Sequence, residues 1–246
     1  KQHIIHYYYK EPKNNLPTII FLHGYMSDIK GKKALFLQEY CNYRNYGYLM
    51  FEYRGHGLSS GDLMDCTIDH WLNDVITTIN HLAKNQQKIL IGSSLGGWLA
   101  FLYTLQYPKL VNAIIGIATA LDFTQDLINN QALLTKNKHN PNIFLVQNNG
   151  STTPISKKLL TSSSKLLLLN DSVIPIEVPV RLLHGMQDQV VLYQKSLEIS
   201  KKLLSNNVKT ILIKNGDHSL SQPENLTLLE LTIDDLLQHH KLKEEI

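Results

Sequence analysis

The stretch that decides the fold is residues 88–107, KILIGSSLGGWLAFLYTLQY, where a short apolar run passes through a glycine-rich turn into an apolar helix. Residues 88–91 predict a buried strand, and residues 94–107 predict a helix that ends before Pro108. The turn between them, Gly92-Ser93-Ser94-Leu95-Gly96, matches the pattern G-x-S-x-G. A strand, a tight turn and a helix in this order are typical of a serine held in strained backbone at the edge of a parallel sheet.

Short apolar runs and segments with helical spacing alternate on both sides of this stretch. The runs that predict strands are residues 4–9, 18–22, 48–53, 88–91, 111–117, 180–183 and 208–213. The segments that predict helices are residues 32–46, 67–82, 94–107, 192–204 and 223–240. Nearly all-apolar strands separated by helices indicate a parallel sheet covered on both faces. We therefore predict an α/β fold, specifically the α/β-hydrolase fold, with a mostly parallel central sheet and helices on both faces.

Residues 122–175 break this alternation. They are rich in Asn, Ser, Thr and Leu, and they predict two or three short helices. About fifty residues could scarcely bury a core of their own. We therefore interpret the segment as a small helical lid inserted over the site, and residues 1–246 as a single domain. Asp122 is expected to cap the first lid helix.

The composition is that of a protein that folds around an apolar core, with 43% hydrophobic and 18% charged residues. The formal net charge is only +3 and the lysines are scattered, so no nucleic-acid partner is indicated. No run approaches the roughly 18 apolar residues of a membrane span, so no transmembrane segment is expected. Two cysteines, Cys41 and Cys66, favour a reducing compartment. We expect a cytoplasmic protein, or a mitochondrial matrix protein if a leader has been removed; the oligomeric state is not indicated.

Ser94 is the candidate nucleophile. Gly92 and Gly96 remove side chains that would collide across the turn, and the helix N-terminus beneath the serine favours developing negative charge. Ser93 occupies a position of the pattern from which the side chain should turn away from the site. The alternative interpretation is a glycine-rich turn whose serine has no chemical role.

A serine hydroxyl needs a general base, and this fold carries its catalytic residues in the order Ser, Asp, His. His218 follows the predicted strand 208–213, and Asp188 follows the predicted strand 180–183. The carboxyl ends of parallel strands meet at one edge of a sheet, so we expect these side chains to lie close to Ser94. Asp188 would fix the tautomer of the histidine and stabilise its imidazolium. Asp217 is the rival acid, which we disfavour because adjacent residues rarely aim their side chains at each other.

The backbone N–H groups of Tyr25 and Leu95 are the candidates for an oxyanion hole. Leu95 follows the nucleophile, and Tyr25 follows the predicted strand 18–22 at a glycine that lets the backbone turn inward. The Tyr25 side chain either lines an acyl pocket or packs in the core. Structural roles are favoured for the other polar residues at strand ends and for the tryptophan of the predicted helix, namely His23, Arg54, His56, His184 and Trp98.

Seven segments resemble the alpha/beta-hydrolase domain-containing protein ten family: FLHGYMSDIKGKKA, FEYRGHGLSSGD, ILIGSSLGGWLA, GIATALDF, PVRLLHGMQDQVV, NGDHSL and LTIDDLL. The family is described as palmitoyl-protein thioesterases and as mycophenolic acid acyl-glucuronide esterases. The resemblance runs from about residue 18 to residue 237 and implies that Ser94, Asp188 and His218 are nucleophile, acid and base. Within residues 122–175 only the first few follow the family pattern. A composition heavy in Lys, Asn and Ile suggests a bacterial or organellar-type member.

We therefore predict a serine hydrolase that cleaves acyl thioesters and esters through an acyl-enzyme, in the manner of a palmitoyl-protein thioesterase. Its substrate would be an acyl ester or thioester, such as an S-acylated protein. A general carboxylesterase and a serine peptidase are enzymatic alternatives, and a catalytically idle binding module is the alternative of another class. No metal or organic cofactor is expected, because the sequence contains no ligand cluster for one.

Overall fold

The computed structural model describes residues 3–13, 16–148 and 151–244 of the chain. The elements follow in the order β1 (Tyr7–Lys10), β2 (Thr18–Leu22), α1 (Lys32–Arg44), β3 (Gly47–Phe51), α2 (Ile68–Leu82), β4 (Lys88–Ser93), α3 (Leu95–Gln106), β5 (Val111–Ile117), α4 (Phe123–Asn129), β6 (Leu134–Lys136), β7 (Ile143–Asn148), β8 (Ser151–Ser156), α5 (Lys157–Ser162), β9 (Val180–Gly185), α6 (Gln194–Lys202), β10 (Val208–Ile213) and α7 (Pro223–Glu244). In this part of the chain no helix is long and apolar enough to cross a membrane.

Seven strands form the central sheet in the order β1-β3-β2-β4-β5-β9-β10. All neighbouring pairs are parallel except β1 with β3. Every residue of β2 is buried, because its side chains enter two different apolar layers. Ile20 and Leu22 pack beneath α2 and α3, whereas Ile19 and Phe21 pack beneath α1 and α7. The predicted α/β-hydrolase fold is confirmed, and the carboxyl ends of β2, β4, β9 and β10 lie along one edge of the sheet.

The insertion differs from the predicted helical lid. Between α4 and α5 it contains a three-stranded antiparallel sheet in the order β6-β7-β8. The runs IFLVQN and STTPIS are rich in β-branched and apolar residues, which favour strands over helices. Val146, Ile155 and Leu159 are buried in the same apolar cluster as α2 and α3. The insertion therefore packs directly on the layer that supports α3, the helix that follows the candidate nucleophile Ser94.

Asp122 does not cap the first lid helix as expected. It lies at the N-cap position of α4 with φ 58°, and its side chain makes no capping hydrogen bond. Its buried carboxylate instead accepts hydrogen bonds from the N–H groups of Leu168 and Leu169, at 2.9 and 2.7 Å. Left-handed backbone at Asp122 turns the carboxylate away from the helix, so the side chain joins the two ends of the insertion.

Candidate active site

Ser94 lies in the turn between β4 and α3, with φ 54° and ψ −116°. A non-glycine residue rarely adopts this conformation, and it persists only where the surroundings enforce it. A Cβ atom added at Gly96 would lie 1.9 Å from the carbonyl oxygen of Leu22, and one added at Gly92 would lie 2.3 Å from that of Gly96. Both glycines are therefore required for the turn. Ser94 is half-buried, whereas the neighbouring Ser93 is buried.

The structure brings the predicted acid and base together. His218 Nδ1 lies 2.7 Å from Asp188 Oδ2. Two backbone hydrogen bonds join the loops that carry them, from Met186 N to the carbonyl of Ile213 at 2.8 Å and from Gln187 N to that of Gly216 at 2.9 Å. A carboxylate can only accept, so the imidazole carries its proton on Nδ1 and leaves Nε2 as the basic nitrogen.

Asp217 is occupied elsewhere. Its carboxylate accepts hydrogen bonds from the hydroxyl of Ser219 and the N–H of Leu220, both at 2.9 Å. These bonds close the turn that follows His218. The rival acid therefore shapes the loop of the histidine, and its carboxylate is directed into that turn.

Asp188 is buried and accepts hydrogen bonds on both oxygens. Its Oδ1 accepts from the N–H groups of Val190 and Val191, at 2.8 and 2.9 Å. Burial disfavours the charged carboxylate, but hydrogen bonds from His184 and His218 outweigh burial and hold the pKa of Asp188 well below its usual range. The group is therefore an anion at any pH near neutrality.

His184 occupies the buried position favoured from sequence and also contacts the candidate acid, which the sequence interpretation did not predict. Its Nε2 lies 3.2 Å from Asp188 Oδ2 and 2.8 Å from the carbonyl oxygen of Val191, so Nε2 carries the proton. Its Nδ1 accepts from the hydroxyl of Ser196 at 2.7 Å. His184 is fully buried and fixes the second side of the acid. The available signal was its position four residues before Asp188, in LLHGMQD.

The loop that carries Tyr25 lies beside the serine. A Cβ atom added at Gly24 would lie 3.4 Å from Ser94 Cβ. Within the described residues, neither the N–H of Tyr25 nor that of Leu95 donates a hydrogen bond. The carbonyl of Gly24, which shares a peptide group with the Tyr25 N–H, accepts from His23 Nδ1 at 2.8 Å. Burial and the neighbouring His56 lower the pKa of His23 to about 3, so this donor is a neutral imidazole.

Two aromatic side chains join the site to the insertion. The hydroxyl of Tyr25 donates to the carbonyl oxygen of Pro154 in β8 at 2.8 Å. The indole nitrogen of Trp98, in α3, donates to the carbonyl oxygen of Leu166 at 3.1 Å. Trp98 is fully buried, and this hydrogen bond to the insertion adds to the structural role that the sequence favoured for it. Phe123 lies between the two rings, with centroids 6.5 Å from Tyr25 and 5.8 Å from Trp98.

Arg54 occupies the structural position favoured from sequence, and the buried ring of His56 packs on that of Trp71 with centroids 5.4 Å apart. The guanidinium of Arg54 is paired with the buried carboxylate of Asp74, at 2.5 Å. The indole nitrogen of Trp71 donates to the Arg54 carbonyl at 3.1 Å. Across the described chain, no group of three His, Cys, Asp or Glu side chains is arranged to hold a metal ion.

Known proteins resemble this chain over most of its length. The family described as "Serine aminopeptidase, S33" matches residues 13–164. Palmitoyl-protein thioesterase ABHD10, mitochondrial, from Bos taurus is 37% identical over 93% of this chain and 76% of its own length. The structure of alpha/beta hydrolase domain-containing protein 10 from mouse has a TM-score of 0.84 and 34% identity, covering 96% of this chain and 94% of that one. A putative hydrolase from Agrobacterium vitis has a TM-score of 0.87 and 30% identity, covering 94% and 92%.

These similarities agree with the sheet order and with the resemblance carried by the seven sequence segments. The family match spans more than half of the chain, and the ABHD10 proteins align with nearly all of it. The chain belongs to the ABHD10 family of α/β-hydrolases and is a serine-type hydrolase.

Proposed function

We propose that the chain hydrolyses acyl thioesters and activated acyl esters through an acyl-enzyme on Ser94, with S-acylated proteins as its favoured substrates. The observation that carries the proposal is the 2.7 Å pair of His218 and Asp188 at the sheet edge where the strained Ser94 lies. The names of the ABHD10 relatives, which describe them as palmitoyl-protein thioesterases, support the choice of a thioester substrate.

In the first step Ser94 Oγ attacks the acyl carbonyl carbon while His218 Nε2 takes the hydroxyl proton. The carbonyl oxygen becomes an oxyanion, and the two N–H groups without acceptors, those of Tyr25 and Leu95, donate to it. The tetrahedral intermediate then expels the leaving group, which takes the proton from His218 Nε2, so the imidazole is neutral again before the second step. A thiol leaves readily as a thiolate because its pKa is about 8.5, so proton donation by His218 matters less than for an alcohol.

In the second step water attacks the acyl-enzyme carbonyl and gives its proton to His218. The intermediate releases the fatty acid, and the serine oxygen regains the proton. Asp188 stabilises the imidazolium in both steps and remains an anion throughout, as its depressed pKa requires. In both steps the proton is accepted and released by the same atom, His218 Nε2.

We propose further that residues 1–246 act as one domain whose insertion, about residues 122–175, covers the site. The insertion shares an apolar cluster with α2 and α3, which supports this interpretation. The word "mitochondrial" in the relatives' names favours a mitochondrial over a cytoplasmic location.

A competition experiment tests the substrate class. One enzyme preparation is offered acyl thioesters of two to sixteen carbons together with oxygen esters of the same acyl groups. We expect the thioesters to have the higher kcat/KM, and the long chains to exceed the short ones. Uniform preference for short oxygen esters would contradict the proposal and indicate a general carboxylesterase.

Labelling by a fluorophosphonate separates an enzyme from an idle binding module. We expect covalent modification of the peptide that contains Ser94, detected by mass spectrometry, and parallel loss of hydrolysis. An unlabelled protein that binds acyl compounds without turnover would favour the binding module.

Tyr25→Phe removes the hydroxyl that donates to Pro154 but keeps the backbone N–H assigned to the oxyanion hole. We expect kcat/KM to fall by about fivefold, the value of one neutral hydrogen bond of about 1 kcal/mol. Tyr103→Phe is the matched control, because this buried hydroxyl has no hydrogen-bond partner in the described structure. Steady-state kinetics and thermal unfolding of both variants check the expectation, and equal kinetic losses would contradict it.

A further inference from the structure

Lys33 contacts the loop of the general base from across the sheet edge. It lies in the first turn of α1, the helix that follows the oxyanion loop. Its ammonium group donates to the carbonyl oxygen of Ser219 and, at 3.2 Å, to the hydroxyl of Ser221. Both partners lie in the loop between β10 and α7, directly after His218. One side chain therefore connects the element after the oxyanion loop to the loop of the base.

The loop needs such a contact because its backbone is strained. Leu220 has φ 42° although it is not a glycine, and a residue with a Cβ atom adopts this conformation only where its surroundings enforce it. Its side chain is buried in the apolar cluster beneath α7, and its N–H donates to the Asp217 carboxylate at 2.9 Å. The apolar packing and this hydrogen bond hold the C-terminal side of the turn in place. On the other side of the turn, Lys33 donates a hydrogen bond to the carbonyl oxygen of Ser219, the residue between His218 and the strained Leu220.

The charges around Lys33 come mainly from the loop itself. Burial disfavours the charged ammonium group and lowers the pKa of Lys33 to about 8, although Asp217 favours the charged form. The first turn of α1 contains no acidic residue. Asp234 of α7 is paired with Arg44 at the opposite end of α1. The cation is thus present at neutral pH and is lost as the pH rises through about 8.

We propose that Lys33 is a positioning residue for His218: its ammonium group fixes the Ser219 carbonyl and thereby holds the base loop in place for catalysis. The inference rests on the function proposed above. A charge-assisted hydrogen bond is roughly twice as strong as a neutral one, so loss of the proton from Lys33 loosens the loop. Activity should therefore decline on the alkaline side as the amine becomes neutral.

Two substitutions test the proposal, with Lys32→Met as the control because Lys32 is exposed on the same turn. Lys33→Met should lower kcat about tenfold at pH 7, leave KM little changed and show no alkaline decline. Lys33→Arg keeps its charge at every accessible pH. It should retain most of the wild-type kcat at pH 7 and lose the decline above pH 8. Rates are measured on an oxygen ester, after subtraction of the buffer blank.

A Lys33→Arg enzyme whose rate declines with pH like the wild type, or a Lys33→Met enzyme with wild-type kcat, would overturn the proposal. Thermal unfolding reports the fold of each variant, and if Lys33→Met is unfolded the arginine variant decides. Fluorophosphonate labelling of the wild type separates the two levels of inference. If Ser94 is labelled and the arginine variant behaves like the wild type, only the role of Lys33 fails; if Ser94 is not labelled, the proposed function fails and this role with it.

Discussion

Ser94→Ala is expected to reduce hydrolysis of every acyl thioester and ester by roughly a millionfold in kcat, the loss seen when a serine nucleophile is removed from such a triad. No other hydroxyl of the turn can replace it. The strained backbone at φ 54° aims one side chain out of the sheet edge, and Ser93 ends β4 as a buried residue. The measurement is kcat on a nitrophenyl ester and on a thioester with a thiol indicator.

Ser93→Ala is the matched control for this prediction. It removes a hydroxyl one position away, from the same turn, without touching the proposed nucleophile. We expect its kcat to stay within about threefold of the wild type, since the change removes one hydroxyl oxygen and leaves the Ser94 side chain in place. If the Ser94 variant kept more than about one hundredth of the activity, or the Ser93 variant lost it, the assignment of the nucleophile would be wrong.

Asp188→Asn is expected to lower kcat by roughly ten thousandfold, as an amide in this position does in other triads. The amide cannot stabilise the imidazolium, and its NH₂ group can pair with the wrong tautomer of His218. The same change disturbs His184, whose Nε2 proton faces the carboxylate at 3.2 Å. Single-turnover kinetics with a chromogenic ester separate the slow acylation from any defect in binding.

Asp217→Asn provides the control for the acid, because Asp217 is adjacent to His218 and was the rival candidate. Its carboxylate bonds to Ser219 and Leu220, so we expect a loss below about tenfold, from a loosened loop. The two aspartate variants should therefore differ by about three orders of magnitude. Comparable losses in both would contradict the geometry of the site.

Much of the fold followed from local patterns. The strands predicted at residues 18–22, 111–117 and 208–213 match β2, β5 and β10, because buried parallel strands appear as continuous apolar runs. The secondary structure of the insertion was harder to predict from sequence. Asn149-Gly150 is a sequence signal for a two-residue hairpin, and Asn148 pairs with Ser151 on either side of it, but the bias toward Asn, Ser and Leu was interpreted as helical. Residues 149 and 150 themselves lie outside the described structure.

In the candidate site, too, local sequence motifs were predictive and contacts between distant residues were not. Ser94, Asp188 and His218 could be selected because each follows a strand and the motif fixes their order. The hydrogen bonds that hold these residues in place could not be predicted from sequence, because those bonds join residues far apart in the chain. Lys33 and Ser219 are separated by 186 positions, and Tyr25 and Pro154 by 129. The role of each triad residue stays a prediction that the variants above test.

The bonds between the insertion and the machinery below it have a consequence for exchange among relatives. Tyr25 and Trp98 each donate a side-chain hydrogen bond to the insertion from a segment next to the candidate nucleophile. A transplanted insertion from another hydrolase would lose these partners unless it offered carbonyls where Pro154 and Leu166 stand. Selection for a new acyl group would therefore change the turnover rate and the substrate preference together. The two properties should change separately only through substitutions that leave the Tyr25 and Trp98 contacts intact.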